Sequence, residues 1–245
     1  EVGEIAYPLC QDLGMVPESI EALILQAQKA FLWNSILNEV LGIISKAEKL
    51  LKSLPEKTTS TFFTLTYEIL YSKSLINWNM VDYESAIKLG LKSLNLVEKT
   101  ENKVDIGVVL QFLSLFSLFV DLDSALEYAM KSLTHFKKLN YRYGITLSLS
   151  LIGGVHYLKG NFERALEYLL KSLSAKRISN YTKSLSFLVL GHIHLEKGDL
   201  DKALEYYNQG AELSGKIKIS SFPNFILRLG ITYRMMGNRK LAIKG

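Results

Sequence analysis

The chain has 245 residues, of which 48% are hydrophobic and 22% charged, and it carries a formal net charge of +5 at pH 7. This composition is typical of a globular protein and excludes disordered and collagen-like chains. The single cysteine, Cys10, excludes an internal disulfide and favours a reducing, cytoplasmic setting. The longest stretches without a charged residue fall short of the about 20 apolar residues that a membrane helix needs, so we expect no membrane contact.

The two ends of the chain differ from its middle. Residues 1–17 predict a helix bent by Pro8, which is either the second helix of a preceding repeat or a helix outside the repeats. Residues 241–245 start a helical pattern that stops after one turn, which predicts that the natural protein continues beyond it. The helical spacing of the first segment rests on Val2, Ile5, Ala6, Leu9, Cys10 and Leu13.

An internal repeat organises the rest of the sequence. Residues 160–168 (GNFERALEY) are matched by residues 198–206 (GDLDKALEY), and weaker copies occur upstream and at the C-terminal end. A self-similar pattern at a fixed period is the signature of a repeat architecture. The most regular position is an alanine that recurs every 38 to 40 residues, at Ala47, Ala86, Ala125, Ala165, Ala203 and Ala242.

Each repeat predicts two antiparallel helices. Apolar residues follow each alanine at the spacing of one helix face. A glycine or its equivalent precedes the alanine, usually with an Asp or Asn next to it, which predicts the stop of one helix and the cap of the next. The alanine is small because two helices must approach closely there. One pair cannot bury its apolar face alone, so the pairs must stack into an all-α solenoid. The predicted repeats are residues 18–57, 58–101, 102–141, 142–179, 180–218 and 219–245.

The last three repeats resemble the tetratricopeptide repeat. Its leucine-glycine pair, later aromatic residue and alanine are matched by Leu190-Gly191, His194 and Ala203. The resemblance implies a right-handed superhelix of helix pairs that binds partners on its concave face. The period near 39 differs from the usual 34, the opening tryptophan is absent and the closing proline is present only near Pro55. This longer period is similar to that in sensor regions of multidomain signalling ATPases and in maltose-activator-like regulators.

The sequence predicts no catalytic site, cofactor or metal. Residues 210–217 (GAELSGKI) have the spacing of a phosphate-binding loop, but Ile217 replaces the required Ser or Thr, and the segment is predicted to end a helix rather than to follow a strand. His192 and His194 are two residues apart, so they cannot chelate one metal from one helix face. His156 and His194 occupy the aromatic position of the repeat and are predicted to be packing residues.

The resemblance also marks a concave groove on the first helices of the repeats. The lysine and asparagine clamp of chaperone-binding members is missing, so we expect the groove to accept an apolar peptide, an amphipathic helix or another segment of the same protein. The alternative is that these residues are buried between long helices, which full burial of Tyr71, Trp78 and Tyr157 would indicate. The candidate groove residues are Leu32, Ile36, Tyr71, Leu75, Trp78, Leu110, Ser114, Ser117, Ser150, Gly154, Tyr157, Leu188, His192, Leu195, Leu227, Ile231 and Arg234.

Charge is distributed unevenly along the chain. Residues 1–130 hold 10 Lys and Arg against 17 Asp and Glu, whereas residues 131–245 hold 19 against 7. The basic half either contacts an acidic partner or nucleic acid in a salt-sensitive way or presents ordinary solvated faces, and association of acidic with basic ends is a further alternative. The leading prediction is a non-catalytic interaction scaffold, and the second is a ligand-sensing module of a larger regulator. The basic residues concerned include Lys137, Lys138, Arg142, Lys176, Arg177, Lys183, Lys216, Lys218, Arg228, Arg234, Arg239 and Lys240.

Overall fold

The computed structural model describes residues 2–32, 37–100, 102–217 and 222–237. Within these ranges the regular structure is all-helical, which confirms the predicted fold class. The helices are α1 (Val2–Asp12), α2 (Val16–Leu32), α3 (Leu37–Ser53), α4 (Ser60–Asn79), α5 (Tyr83–Val97), α6 (Lys103–Ser117), α7 (Leu122–Lys138), α8 (Arg142–Leu158), α9 (Phe162–Leu173), α10 (Asn180–Glu196), α11 (Leu200–Ile217) and α12 (Phe222–Met235).

The helices form two compact units. The N-terminal unit, Glu1–Asp121, contains α1 to α6, and the C-terminal unit, Leu122–Gly245, contains α7 to α12. Within each unit every helix packs against the next one along the chain, and α2 also packs against α4 as α8 does against α10. We call the even-numbered helices from α2 onward the first helices of the repeats, and the odd-numbered ones from α3 onward the second helices.

Small residues allow each first helix to approach its second helix. Ala47, Ala86, Ala125, Ala165 and Ala203 are completely buried, whereas Ala242 lies outside the described residues. Glycines on the first helices face large side chains of the second: a Cβ added at Gly153 would lie 2.7 Å from Cγ of Leu169, and one added at Gly191 would lie 2.3 Å from Cε1 of Tyr207. Because interiors are close-packed, these positions exclude any larger residue without repacking.

The N-terminal segment and the segment with the spacing of a phosphate-binding loop are both helical. Residues Val2–Asp12 form a single helix through Pro8, and this helix packs against α2. The segment with the spacing of a phosphate-binding loop, residues 210–217, lies inside α11. It therefore follows helix rather than strand, and its glycines cannot form the loop that cradles a phosphate.

Two of the predicted capping residues, Asp82 and Asp199, form the expected hydrogen bonds. The carboxylate of Asp82 accepts a hydrogen bond from the backbone N–H of Ser85 at 3.1 Å, and that of Asp199 accepts one from Lys202 at 3.4 Å. Asn161 precedes α9 but makes no such side-chain bond. The prediction that each Asp or Asn caps its helix is therefore wrong at Asn161.

Three of the turns between first and second helices share one geometry. At Gly160 and Gly198 the backbone has a left-handed φ of 74° and 76°, and Val81 takes the same conformation with a φ of 64°. The amide of Val81 donates to the carbonyl of Trp78 at 3.1 Å and that of Asp82 to Asn77 at 2.9 Å, which is the pattern of a glycine-terminated helix. A branched side chain is strained in this region, so the turn at Val81 follows the repeat at a conformational cost.

We expect Val81→Gly to raise the free energy of unfolding by about 1 kcal/mol, because glycine removes the left-handed strain and the side chain of Val81 is 65% exposed. Urea unfolding followed by circular dichroism measures the change. Val120 occupies the same place one repeat later without a positive φ, so Val120→Gly should lower stability by about 0.5–1 kcal/mol. Equal effects of the two substitutions would contradict this explanation.

Candidate functional site

The predicted groove residues of the N-terminal unit divide into two groups. Tyr71, Leu75 and Trp78 on α4 are partly exposed. Their neighbours include aromatic rings of α6: the ring centroids of Tyr71 and Phe112 are 4.9 Å apart in an edge-to-face arrangement. By contrast, the side chains predicted on α6 are core residues, with exposures of 7% or less, and Leu32 and Ile36 lie outside the described side chains. The buried residues are Leu110, Ser114 and Ser117.

The predicted groove residues of the C-terminal unit are mostly accessible. Leu227 is 60% exposed and Arg234 is exposed, whereas Ser150 is buried and its hydroxyl accepts a hydrogen bond from Ser186 at 3.0 Å. The first helices of this unit therefore expose several apolar and aromatic side chains to solvent. The remaining residues, all partly exposed, are Gly154, Tyr157, Leu188, His192, Leu195 and Ile231.

The exposure of three aromatic residues separates the two interpretations of the groove. Tyr71, Trp78 and Tyr157 are each partly exposed rather than fully buried. Complete burial would have made them packing residues between long helices. Their partial exposure leaves aromatic surface on the first helices of each unit, and aromatic residues are enriched where proteins bind partners.

Aromatic rings from four consecutive helices of the C-terminal unit, α8 to α11, form a row. The ring centroid of Tyr157 lies 6.0 Å from that of Phe162 and 5.6 Å from that of His192, and His192 lies 5.8 Å from Tyr207. An open cleft of about 230 Å³ begins beside Tyr157. It is lined by Tyr157, Leu158, Gly160, Phe162 and Glu196.

Burial changes the pKa values of three side chains in this row of rings. Burial and the positive charge of Arg228 lower the pKa of His192 to about 4, so this histidine is neutral at pH 7. Burial raises the pKa of Tyr157, with a smaller contribution from the carboxylate of Glu196. Burial also raises the pKa of Tyr207. All three side chains are therefore uncharged hydrogen-bonding groups at neutral pH.

The other two notable histidines are packing residues, as their repeat position predicts. His156 is stacked on Tyr168 with centroids 5.6 Å apart, and His194 is stacked on Tyr206 at 5.4 Å. Burial and the charge of Arg164 lower the pKa of His156. In the part of the chain that the structure describes, no group of three or more His, Cys, Asp or Glu side chains could hold a metal ion.

Serines that recur in the repeats form hydrogen bonds between neighbouring helices, a role that the sequence alone did not indicate. Ser93 and Ser172 donate to the backbone carbonyls of Tyr67 at 3.1 Å and Thr146 at 2.7 Å, each across from a second helix to its first helix. Ser132 shares a hydrogen bond of 2.9 Å with a serine hydroxyl of α8. Each serine follows a repeat alanine by seven residues, within a Lys-Ser-Leu triplet that marks the position in the sequence.

In the N-terminal unit, the carboxylates of Glu68 and Asp105 interact with each other and with Tyr67. The hydroxyl of Tyr67 donates a hydrogen bond to Asp105, and burial followed by this bond raises the pKa of Tyr67. Burial, followed by the charges of Asp105 and Glu21, raises the pKa of the neighbouring Glu68 to about 7. Glu68 is therefore partly protonated at neutral pH, because its ionised form would face two like charges.

The tetratricopeptide repeat family model matches residues 145–216, which span α8 to α11. Over these residues the C-terminal unit is similar to tetratricopeptide repeats. The stacked helix pairs, the buried alanines and the closely packed glycines of this unit are the features on which the resemblance in the sequence depends. No curated protein matches the chain in sequence. Among the described residues, none of the helices is both long and apolar enough to cross a membrane.

Solved structures share this fold over nearly the whole chain. One is the quorum sensor NprR from B. thuringiensis in its apo form, with 14% sequence identity and a TM-score of 0.66, where 93% of this chain covers 63% of that chain. NprR in complex with its cognate peptide NprX matches with 15% identity and a TM-score of 0.68, over 92% of this chain and 64% of that chain. This chain thus spans less than two thirds of NprR.

Two further structures belong to other classes of protein. The signal transduction ATPase with numerous domains and a tetratricopeptide repeat sensor from Pyrococcus horikoshii has 13% identity and a TM-score of 0.61, over 91% of this chain and 34% of that chain. Aspartyl phosphate phosphatase F from Bacillus subtilis has 12% identity and a TM-score of 0.63, over 94% and 68%. At these identities the likeness shows the fold alone, because one fold carries unrelated functions.

Proposed function

We propose that this tetratricopeptide repeat chain is a non-catalytic interaction module that binds a peptide or a partner helix on the first helices of its repeats. The observation that carries the proposal is the accessible apolar and aromatic surface of these helices. Tyr71 and Trp78 contribute to it in the N-terminal unit, and Tyr157, Leu195 and Leu227 contribute in the C-terminal unit. Such surfaces suit an amphipathic helix or an extended apolar peptide.

The comparison with NprR supports a peptide as the partner. NprR has a similar fold and is known in complex with its cognate peptide NprX. The absence of a catalytic role is part of the proposal, although phosphatase F shows that an enzyme can share this fold. It is supported by the histidines, since His156 and His194 stack on tyrosines instead of facing a nucleophile. We also propose a cytoplasmic setting, because the single cysteine, Cys10, is free.

Selection of peptides from a displayed library of random 12-residue sequences tests this function on the purified chain. We expect enrichment of peptides with apolar residues at helical spacing, and we expect Leu227→Glu to weaken their binding about tenfold, since it places a charge on the proposed surface. Leu170→Glu is the matched control, because Leu170 is 52% exposed on the second helix α9 and Leu227 is 60% exposed on α12. Equal weakening by the two substitutions, or no enrichment by the unmodified chain, would refute the proposal.

A regulatory role is the second candidate. The structures of similar fold include a quorum sensor and an ATPase with a tetratricopeptide repeat sensor, and this chain covers only part of each. In this candidate the same surface binds a ligand or a segment of a larger protein and controls another domain. It predicts that peptide selection fails while a flanking domain of the natural protein binds the chain.

A third candidate places an anionic partner on the basic half of the chain. Residues 128–162 and 168–195 contain no Asp or Glu. Five of their exposed cations lie around the turns from second to first helices, including both sides of the α7–α8 turn: Lys137, Lys138, Arg142, Lys176 and Arg177. An anionic partner, including nucleic acid, would dissociate as salt is raised, whereas an apolar peptide would not.

A further inference from the structure

Three positions change from apolar to polar between two neighbouring repeats of the C-terminal unit. They lie on a first helix, on its second helix and on the next first helix, and the later set follows the earlier one by 38 or 39 residues. Helix packing alone does not require this change, because the earlier apolar set satisfies the same geometry. The earlier set is Gly154, Leu169 and Val189, and the later set is His192, Tyr207 and Arg228.

The repeat geometry indicates that the later set converges. In the earlier repeat, a Cβ added at Gly154 would contact Cγ2 of Val189 at 4.0 Å. The equivalent pair one repeat later is His192 and Arg228, and the guanidinium of Arg228 is close enough to act on the ionisation of the His192 ring. The His192 ring also lies 5.8 Å from the ring of Tyr207, at 65° to it. The rings of His192 on α10 and Tyr207 on α11 are therefore in contact, and Arg228 on α12 lies within electrostatic range of both.

Two polar atoms at this place lack a partner. Neither Nε2 of His192 nor the hydroxyl of Tyr207 has a hydrogen bond to any described residue, although both atoms are buried and Tyr207 has no exposed surface. Buried polar atoms in folded proteins are nearly always hydrogen-bonded, so these two atoms are open to a partner from outside the chain, whether an ordered water or an atom of a ligand. Local departures from good packing rules concentrate at functional sites.

The available groups are mainly donors. Arg228 is partly buried and forms no ion pair with any acidic side chain of the described residues. Its guanidinium offers five N–H groups in a planar fork, and the tyrosine hydroxyl and neutral imidazole can each donate one more. Glu196 is the carboxylate that contributes to the raised pKa of both tyrosines, and it lies exposed at the cleft beside Tyr157. An acceptor with two oxygens matches this set better than any neutral group.

We propose that Arg228, His192 and Tyr157, which are partly exposed, form a site for the carboxylate of an Asp or Glu side chain within a bound peptide, with the buried Tyr207 packed on His192. This inference rests on the proposed function, because the carboxylate belongs to the peptide that lies on the first helices. Tyr157 completes the site from α8, with its ring 5.6 Å from that of His192. Apolar side chains of the same helices, including Leu195 and Leu227, provide contacts for the neighbouring peptide residues, which favours an internal side chain over a chain end.

The test uses the whole chain and a positional-scanning library of 10-residue peptides with acetylated N-termini and amidated C-termini. We expect one position to select Asp or Glu, flanked by apolar preferences. Arg228→Gln should lose the acidic preference and retain the apolar ones. Arg164→Gln is the matched control, because Arg164 is an exposed arginine on the second helix α9, and it should leave both preferences unchanged.

A selected peptide is then compared with its Glu-to-Gln or Asp-to-Asn analogue by fluorescence anisotropy. We expect either the peptide change or Arg228→Gln to weaken binding about tenfold or more, and their combination to weaken it no further, because both remove one contact. Arg228→Lys should retain part of the affinity, since it keeps the charge and loses the fork. Thermal unfolding of each variant establishes that it is folded.

Several results would overturn the inference. Selection of apolar peptides with no acidic preference, or an acidic preference that Arg228→Gln retains, would leave the proposed function standing and remove this site. Stronger selection from a parallel library with free C-termini would assign the contact to a terminal carboxylate instead. Additive losses in the combined experiment would place the peptide carboxylate elsewhere. Failure of the chain to select any peptide would overturn both the proposed function and this inference.

Discussion

Replacing Phe136 by alanine is expected to lower the free energy of unfolding by about 3–5 kcal/mol, because a completely buried aromatic side chain leaves both lost apolar contacts and a cavity. The ring lies between α7 and α8: its centroid is 5.3 Å from that of Tyr141, and a Cβ added at Gly144 would lie 2.4 Å from it. The residue that opposes the ring on α8 is Gly144, which has no side chain to fill the space. Urea unfolding followed by circular dichroism measures the loss.

An exposed phenylalanine provides the control for this result. Phe119 is 63% exposed and stacks on Tyr83 with ring centroids 4.7 Å apart. Phe119→Ala should therefore cost about 0.5–1 kcal/mol, which is the contribution of one aromatic pair. If Phe136→Ala cost no more than Phe119→Ala, Phe136 would not be a core residue and the packing of α7 on α8 would be wrong.

Adding one methyl group at Gly191 is expected to have the second largest effect, a loss of about 1–3 kcal/mol. The new Cβ would lie 2.3 Å from Cε1 and 2.5 Å from Cδ1 of Tyr207, and the fully buried tyrosine ring can move only by displacing its neighbours. Overpacking of this kind strains the surrounding side chains. Thermal unfolding of Gly191→Ala compared with the unmodified chain measures the loss.

The same substitution at Gly154 should have the opposite sign. Gly154 lies inside α8, and its added Cβ would meet only Val189 at 4.0 Å, an ordinary contact. Because alanine favours a helix over glycine, Gly154→Ala should raise stability by about 0.5–1 kcal/mol. A rise in stability at Gly191 as well would show that Tyr207 does not pack on that glycine.

Local sequence features carry most of the fold. Helices require apolar residues at helical spacing, a stop and a cap, and all of these lie within about 20 residues of one another. The repeat alanines could therefore be recognised without coordinates, and each one in the described part of the chain is buried. The left-handed turn at Val81 shows the limit, because a valine gives no local signal of that conformation and Val120 at the equivalent repeat position does not adopt it.

The candidate site was less predictable. Counting from the alanines placed Tyr157 and His192 on the first helices, where the structure leaves both partly exposed. The same counting included Leu110 and Ser150, which the structure buries. A fixed offset along each repeat cannot distinguish these cases, because exposure depends on the size of the side chains on neighbouring helices.

The sequence by itself determined that this chain is an all-α repeat with a period near 39 residues, since each repeat records the same helix starts, stops and close contacts. Only the tertiary structure decided which first-helix side chains reach solvent and that His192, Tyr207 and Arg228 come together. These three residues are 15 and 21 positions apart on α10, α11 and α12. Their meeting depends on how three helices stack, and the spacing within a single helix contains no information about that arrangement.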